Sequence, residues 1–220
     1  MQVSSAHDQH RQHPPNPPAS LAEAHALAWF KLQAGAQQRK HPYHLCTVAT
    51  IGTGGAPELR TVVLRQANPA AQTLAFHTDA RSPKVDHMRQ DPRVSVLFYD
   101  TTDRVQVRIA AKAELFTEGE AFEDAWARTA LFARRCYLAP FGPSTPRPEP
   151  EPNLPESVRS TAPSEAESEA GRRSFVLVRL RVRSLEVLSL AHDGHARCRL
   201  DYAQGGALPP GGPAGTWLAP

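Results

Sequence analysis

The 220 residues are 40% hydrophobic and 21% charged, the proportions of an ordinary globular chain of one domain with extensions, so a wholly disordered chain is excluded. No run approaches the roughly 18 consecutive apolar residues of a membrane helix. The opening MQVSSAHDQHRQHPPNPP has no apolar stretch of the kind that drives secretion. A net charge of +3 is too mild to imply a nucleic-acid or membrane partner. The three cysteines, Cys46, Cys136 and Cys198, are widely spaced and odd in number. They point to buried small side chains in a reducing cytoplasm, with no disulfide framework or zinc site expected.

Proline divides the chain. Of 21 prolines, four lie in 14–18, eight in 140–163 and four in 209–220, while 41–139 holds five and 164–208 none. Proline cannot join the interior of a helix or a sheet ladder. The expected organisation is a tail over 1–19, a core over 20–139, a flexible Pro/Glu/Ser-rich linker over 140–172, and C-terminal strands over 173–220 ending in a Gly/Pro-rich tail. His7, His10 and His13 read as part of a solvated tail rather than as metal ligands.

Within the core, Ser20 and Glu23 form a capping-box pattern ahead of the apolar stripe Leu21, Ala24, Leu27, Ala28 and Leu32, which predicts a helix over 20–33. The period then changes. HLCTVATI (44–51) and LRTVVLRQ (59–66) read as a hairpin around a Gly-rich turn, followed by strands at 73–78, 93–100 and 105–116. A short helix over 82–90 interrupts them. The pattern Phe122, Ala125, Trp126, Thr129, Phe132 predicts a helix over 118–138. Segments 175–190 and 195–202 supply further strands. The predicted fold is mainly β: six or more antiparallel strands in a Greek-key-like barrel with peripheral helices.

Chemistry concentrates in a few places. Ser82-Pro83-Lys84 pairs a favoured N-cap with a favoured first-turn proline and a cation, the pattern of an anion site at a helix start. Arg60 and Arg65 bracket one strand, Thr78 ends the next, and Gln106 stands early in an otherwise apolar strand. Together these suit a phosphorylated, planar cofactor; exposed polar residues on half-wet strands are the plain alternative. Arg179, Arg181 and Arg183 read as charge protecting an edge strand rather than as a nucleic-acid surface. His41/His44 and His192/His195 lack carboxylate or cysteine partners for a metal.

Five segments in order, Arg60-Thr-Val-Val-Leu-Arg65, Phe76-His-Thr-Asp, Ser82-Pro-Lys-Val, Asp91-Pro-Arg-Val-Ser-Val-Leu-Phe and Gln106-Val-Arg-Ile-Ala-Ala-Lys-Ala-Glu, resemble the ordered motifs of the pyridoxamine 5′-phosphate oxidase family. The resemblance implies an FMN-binding split β-barrel that forms a homodimer with FMN at the subunit interface. It implies that Arg60, Thr61, Val62, Val63, Leu64 and Arg65 line the flavin, with Arg60 near its phosphate. By the same matching, His77 and Thr78 contact the flavin, Ser82 and Lys84 hold the phosphate, and Gln106 and, more loosely, Arg199 complete the cofactor site. Trp217-Leu-Ala-Pro220 resembles the family's end.

The departures concern substrate. Ser-Pro-Lys stands for the family's Ser-Arg-Lys, Arg65 for a substrate-facing lysine, and Leu188-Ser-Leu for Trp-Gln-Gly. The family's substrate cluster has no clear counterpart; Arg134 and Arg135 are the candidates. The implied function is an FMN-dependent oxidoreductase acting on an unidentified small molecule, in a diverged branch, with no catalytic acid or base and no metal ligand named. The alternative is a non-catalytic binder of flavin, deazaflavin or haem.

Overall fold

The computed structural model describes residues 16–203 and 212–220; the expected N-terminal tail up to residue 15, with its histidines, lies outside them. Helix α1 (Leu21–Gln37) leads into strands β1 (Leu45–Ile51), β2 (Pro57–Val63), β3 (Gln66–Asn68) and β4 (Thr73–Asp79). Helix α2 (Pro83–Gln90) precedes β5 (Arg93–Asp100) and β6 (Val105–Phe116). Helices α3 (Glu120–Arg128), α4 (Leu131–Arg134) and α5 (Glu165–Glu169) come before β7 (Phe175–Ser189), β8 (Ala196–Asp201) and β9 (Ala214–Leu218).

All strand pairings are antiparallel, in the order β2-β1-β5-β6-β7-β4-β3, with β8 added to β7 and β9 to β8. The sheet is the mainly-β barrel architecture the strand pattern predicts. β5 shows why these residues make strands: every second side chain, Val94, Val96, Phe98 and Asp100, is buried, and those between are exposed. The barrel closes through a bend. β2 pairs with β1, and then Leu64 N–H donates to His44 O at 2.9 Å while Arg65 N–H donates to Ala75 O at 2.8 Å. Two residues thus carry the chain from one end of the strand order to the other.

β7 is not an edge strand. β6 pairs along its length on one side, while β4 takes its first half and β8 its second half on the other. Register shifts between Ala110 and Ala111 of β6, so Arg183 stands as an extra residue in β7. Such a bulge bends the strand; the Arg183 carbonyl accepts from Tyr202 N–H at 2.9 Å. Arg181 pairs with Glu114, and the Arg179 guanidinium lies 4.5 Å over the Phe116 ring. These arginines are engaged within the sheet.

Helix α1 starts where expected and runs one turn further. Ser20 Oγ accepts from Glu23 N–H at 3.1 Å, while Glu23 accepts from Ala19 N–H at 2.9 Å. Gly35 lies in its last turn against Tyr43. A Cβ there would fall 2.6 Å from the Tyr43 carbonyl carbon and oxygen, so only glycine permits this approach. The helix covers one mouth of the barrel through Ala24, Ala28, Trp29 and Leu32, all buried.

The expected helix over 118–138 is broken. α3 ends at Arg128, and a short α4 and a 3-10 turn (Arg135–Leu138) follow. The cause is Arg134, which is buried. Its Nε donates to Thr129 O at 3.0 Å, and its Nη2 to Trp126 O at 2.9 Å and Ala127 O at 3.3 Å. One guanidinium satisfies the last carbonyls of α3, so the helix stops and the chain turns.

The segment 140–172, expected as a flexible linker, is also tied down. Val158 and Ser168 are buried, Ser168 Oγ accepts from Arg134 Nη1 at 3.2 Å, and Glu169 accepts from Trp126 Nε1 at 2.9 Å. Arg135 Nη1 donates to Arg159 O at 2.9 Å, and a Ser164/Glu167 capping box starts α5. Polar contacts to main chain hold what its few apolar side chains do not.

Lys31 enters the core from α1, where Nζ donates to Asp100 at 2.8 Å and also to Asp103; the side chains of Lys31 and Asp100 are each 5% exposed. The two carboxylates hold the Lys31 pKa above its ordinary value despite the opposing effect of burial. Removing one partner strands a buried charge, so Lys31→Met should destabilise the fold by about 3 kcal/mol. Adding Asp100→Asn should recover part of the loss. Urea unfolding midpoints of the two variants check both expectations.

Candidate functional site

The barrel's bend brings β2, β4 and the start of α2 together. Lys84 Nζ donates to Ser82 Oγ at 2.5 Å and to Thr78 Oγ1 at 3.3 Å. Ser82 is the N-cap residue of α2 yet caps no backbone N–H with its side chain, and Pro83 at the first position has no N–H to offer. Arg60 comes from β2. Its Nη1 donates to Thr50 Oγ1 at 2.7 Å and to Glu58 O at 3.0 Å, and its Nη2 reaches Glu58 Oε2 at 3.4 Å. Thr50 Oγ1 in turn lies 3.2 Å from Nδ1 of the buried His87.

Glu58 partly balances Arg60 in this corner, and Lys84 has no carboxylate partner among the described residues. Burial, and then the nearby Arg60, push the Lys84 pKa down, with Asp79 opposing. Asp79 is already taken by Arg81, whose backbone N–H, Nε and Nη2 donate to its two oxygens at 2.8, 2.9 and 2.7 Å. Two cations and two hydroxyls therefore converge at the start of a helix, where backbone polarity also favours a negative guest. An anion beside Lys84 would offset both the burial and the Arg60 charge that depress it.

The other residues singled out from sequence divide into groups. Thr61 and Val63 lie on the outward face of β2, with Val62 and the buried Leu64 directed toward the core. Arg65 is exposed and acts electrostatically on both His77 and Tyr137. His77 packs edge-on to Phe175 at 4.8 Å between ring centres, and its Nδ1 is 3.4 Å from Thr129 Oγ1. Its Nε2 is buried with no hydrogen-bond partner among the described residues.

Gln106 stands opposite Tyr99 and Leu188 in the sheet, half-buried, its amide without a partner among the described residues. Arg199 is far along β8 and pairs with Asp201 at 2.9 Å. It borders a polar depression with Arg108 and Glu186 rather than the Lys84 corner. Of the substrate candidates, Arg134 is engaged by the carbonyls and the Ser168 hydroxyl described above, while Arg135 stacks 3.7 Å over Phe132 and keeps a buried Nε with no partner among the described residues. Ser157 and Ser160, on the segment that Arg135 reaches, are exposed. His41 Nδ1 accepts from Tyr43 N–H, and His44 Nδ1 lies 2.8 Å from Gly35 O. Among the described residues no group of three or more His, Cys, Asp or Glu is placed to hold a metal.

Sequence reasoning passed over Asp79, Arg81 and the loop behind them. Arg81 Nη1 donates to Ala139 O at 2.9 Å and Pro140 O at 3.4 Å. This draws the 139–154 segment against the end of β4 and leaves a cleft of about 480 Å³ between them. No local motif announces a cleft whose walls come from 78–79 and from 136–154.

The family model for pyridoxamine 5′-phosphate oxidase matches residues 32–153, and the chain belongs to that family. It is 30% identical over 126 residues to pyridoxine/pyridoxamine 5′-phosphate oxidase 2 of Arabidopsis thaliana, covering 53% of this chain and 64% of that one. A Caulobacter vibrioides pyridoxine/pyridoxamine 5′-phosphate oxidase is also 30% identical, over 57% of this chain and 54% of its own. The chain thus spans less than two thirds of the length of these relatives. Among solved structures, a pyridoxamine 5′-phosphate oxidase-related, FMN binding protein from Nostoc punctiforme superposes with a TM-score of 0.66 at 22% identity, covering 91% of this chain and all of that one. PhzG from Burkholderia lata, in complex with tetrahydrophenazine-1-carboxylic acid, superposes at 0.65 and 16% identity over 97% and 98%. These two share the split-barrel fold.

Burial, and next the charge of Arg65, push the His77 pKa from 6.5 down to about 4. The unfolded chain therefore takes up this proton first as pH falls. The stability contributed by neutral His77 is complete above pH 6.5, drains between 6.5 and about 4, and changes no further below. Burial lowers His25 and His41 in the same sense. His77→Phe should flatten, without abolishing, the decline of the urea midpoint across this window; an unchanged slope would contradict the burial of the imidazole.

Proposed function

We propose that this chain is an FMN-binding oxidoreductase working as a homodimer, with the cofactor held where two subunits meet. The observation that carries the reading is the hydrogen-bonded set Thr78, Ser82 and Lys84 at the start of α2, with Arg60 adding its charge to the burial that lowers the Lys84 pKa. A phosphate monoester fits this donor set: two positive charges, two hydroxyls and a helix start. Gln106, whose amide both donates and accepts, suits the polar edge of a flavin ring, and Arg65 supplies a further cation beside His77. Bound there, FMN would supply two-electron redox chemistry. The chain's own part is to hold the phosphate, orient the ring and keep it against the barrel.

The dimer reading draws support from the outward face of β2, β1 and β5. Leu59, Leu45, Leu97 and Tyr99 are 65%, 54%, 39% and 44% exposed there. Adjacent large apolar side chains on one sheet face are the usual mark of a protein interface. Gln106 borders this patch, opposite Tyr99. The three cysteines are unpaired, which fits a reducing cytoplasm. No helix among the described residues is long and apolar enough to cross a membrane.

Lys84→Ala and Arg60→Ala should each weaken FMN binding by about 1.5–3 kcal/mol, roughly ten- to a hundredfold, because each removes a charge-assisted contact. Riboflavin, without the phosphate, should bind the parent less tightly and be insensitive to both changes. Flavin fluorescence titration reads both; equal affinity for FMN and riboflavin would refute the phosphate placement. Sedimentation should show a dimer, and a monomer binding one FMN tightly per chain would overturn the shared site. Turnover of a reduced substrate then separates an enzyme from a carrier.

A further inference from the structure

The cleft of about 480 Å³ behind the end of β4 begins at Thr78, whose hydroxyl belongs to the Lys84 corner, and extends under the 136–154 segment. Its volume is that of a small-molecule site. Its chemistry is specific in what it lacks. Tyr137, Phe141, Pro143 and Leu154 supply aromatic and aliphatic walls, and no Lys, Arg or His lines it.

Asp79 and Asn153 in the walls are already engaged, while the Tyr137 hydroxyl has no hydrogen-bond partner among the described residues. Both oxygens of Asp79 accept from Arg81. Asn153 Oδ1 accepts from Phe141 N–H at 3.1 Å, and its Nδ2 donates to Phe141 O at 2.8 Å. The only charged lining residue is thus a carboxylate already neutralised by Arg81, so the lining offers an entering phosphate ester no free cation. Burying an unpaired charge is costly, whereas a flat apolar ring loses nothing polar on entry. The Tyr137 ring is fixed edge-on to Trp126 and Phe175, at 6.1 and 5.1 Å between ring centres, so one wall is rigid.

We propose that this cleft binds an uncharged fused-ring aromatic compound, and that the Pro-rich 139–154 segment thereby turns the protein away from phosphorylated substrates. That such a compound is the substrate rests on the proposed flavin reading; that the cleft binds it does not.

Cys136 lines the cleft and is exposed, whereas Cys46 and Cys198 are buried. Alkylation of Cys136 by iodoacetamide, followed by mass spectrometry, therefore reports occupancy of the cleft without reference to flavin. The silence of the other two thiols reports an intact fold. The probes are 2-naphthol and pyridoxine 5′-phosphate, each on the full chain with and without FMN. At about ten times its dissociation constant, 2-naphthol leaves about a tenth of the clefts free, so alkylation should slow about tenfold.

Pyridoxine 5′-phosphate at the same concentration should give no protection, and Leu154→Asp should abolish protection by 2-naphthol while Cys46 and Cys198 stay unreactive. Failure of 2-naphthol to protect, equal protection by pyridoxine 5′-phosphate, or protection by FMN alone would each overturn the proposal. If Leu154→Asp exposes the buried thiols, Phe141→Ala serves in its place and should weaken protection severalfold. Loss of FMN binding with protection retained would sink the flavin reading and leave this one standing.

Discussion

The ladder between β6 and β7 is the constraint on which the remaining structure depends. β7 is fifteen residues long because it must serve three neighbours, with β6 along its whole length and β4 and β8 sharing its other side. Its first half, held to β4, fixes His77 and Thr78 opposite Leu177 and Val176. Its second half, held to β8, brings Tyr202 to Trp29 of α1, where the indole Nε1 donates to the phenol oxygen at 2.8 Å. The single extra residue at Arg183 lets one strand change partners without losing its pairing to β6.

From that ladder the cationic corner follows by closure. The strand order would leave β2 and β4 at opposite ends of an open sheet, yet the bend at Leu64–Arg65 returns the chain to β4 within two residues. Arg60 and Thr78, distant along the sheet, become neighbours of Lys84. The corner is therefore a product of barrel closure, and its mutual repulsion is held in place by backbone pairing rather than by the side chains themselves. The ion cluster of Lys31, Asp100 and Asp103 plays the matching role under α1, locking the helix over the barrel's mouth.

The strands were legible in the sequence because alternation is a local signal: β5 and β6 carry it over eight and twelve residues. β3, with three residues, and β9, with Gly215 second in its five residues and prolines before it, carry too little pattern to be seen. Helix α1 was legible from its cap, but its end was not, because what permits Gly35 in the last turn is contact with Tyr43 rather than anything nearby in sequence. The break after α3 and the anchoring of 160–169 were hidden for one reason. Both depend on Arg134, whose sequence context is that of any helical arginine and whose carbonyl and Ser168 partners are set by tertiary structure. Composition counts apolar residues, and so it misjudged a segment held by hydrogen bonds. In the candidate site, Ser82-Pro-Lys is a local motif and was readable, while the pairing of Asp79 with Arg81 gains its meaning only from the loop that Arg81 reaches.

Arg81 grips that loop in a particular way. It touches the main-chain carbonyls of Ala139 and Pro140 and no side chain of theirs. Any residue has a carbonyl, so the anchor is indifferent to most of the loop's lettering; Gly142, where an added Cβ would fall 2.7 Å from the Arg81 Cβ, is the exception. The loop is in this sense a detachable fitting. Apart from Asn153, whose amide ties the loop to the Phe141 main chain, its side chains carry little of the attachment, so the clasp and the strand behind it do not depend on what lines the cleft.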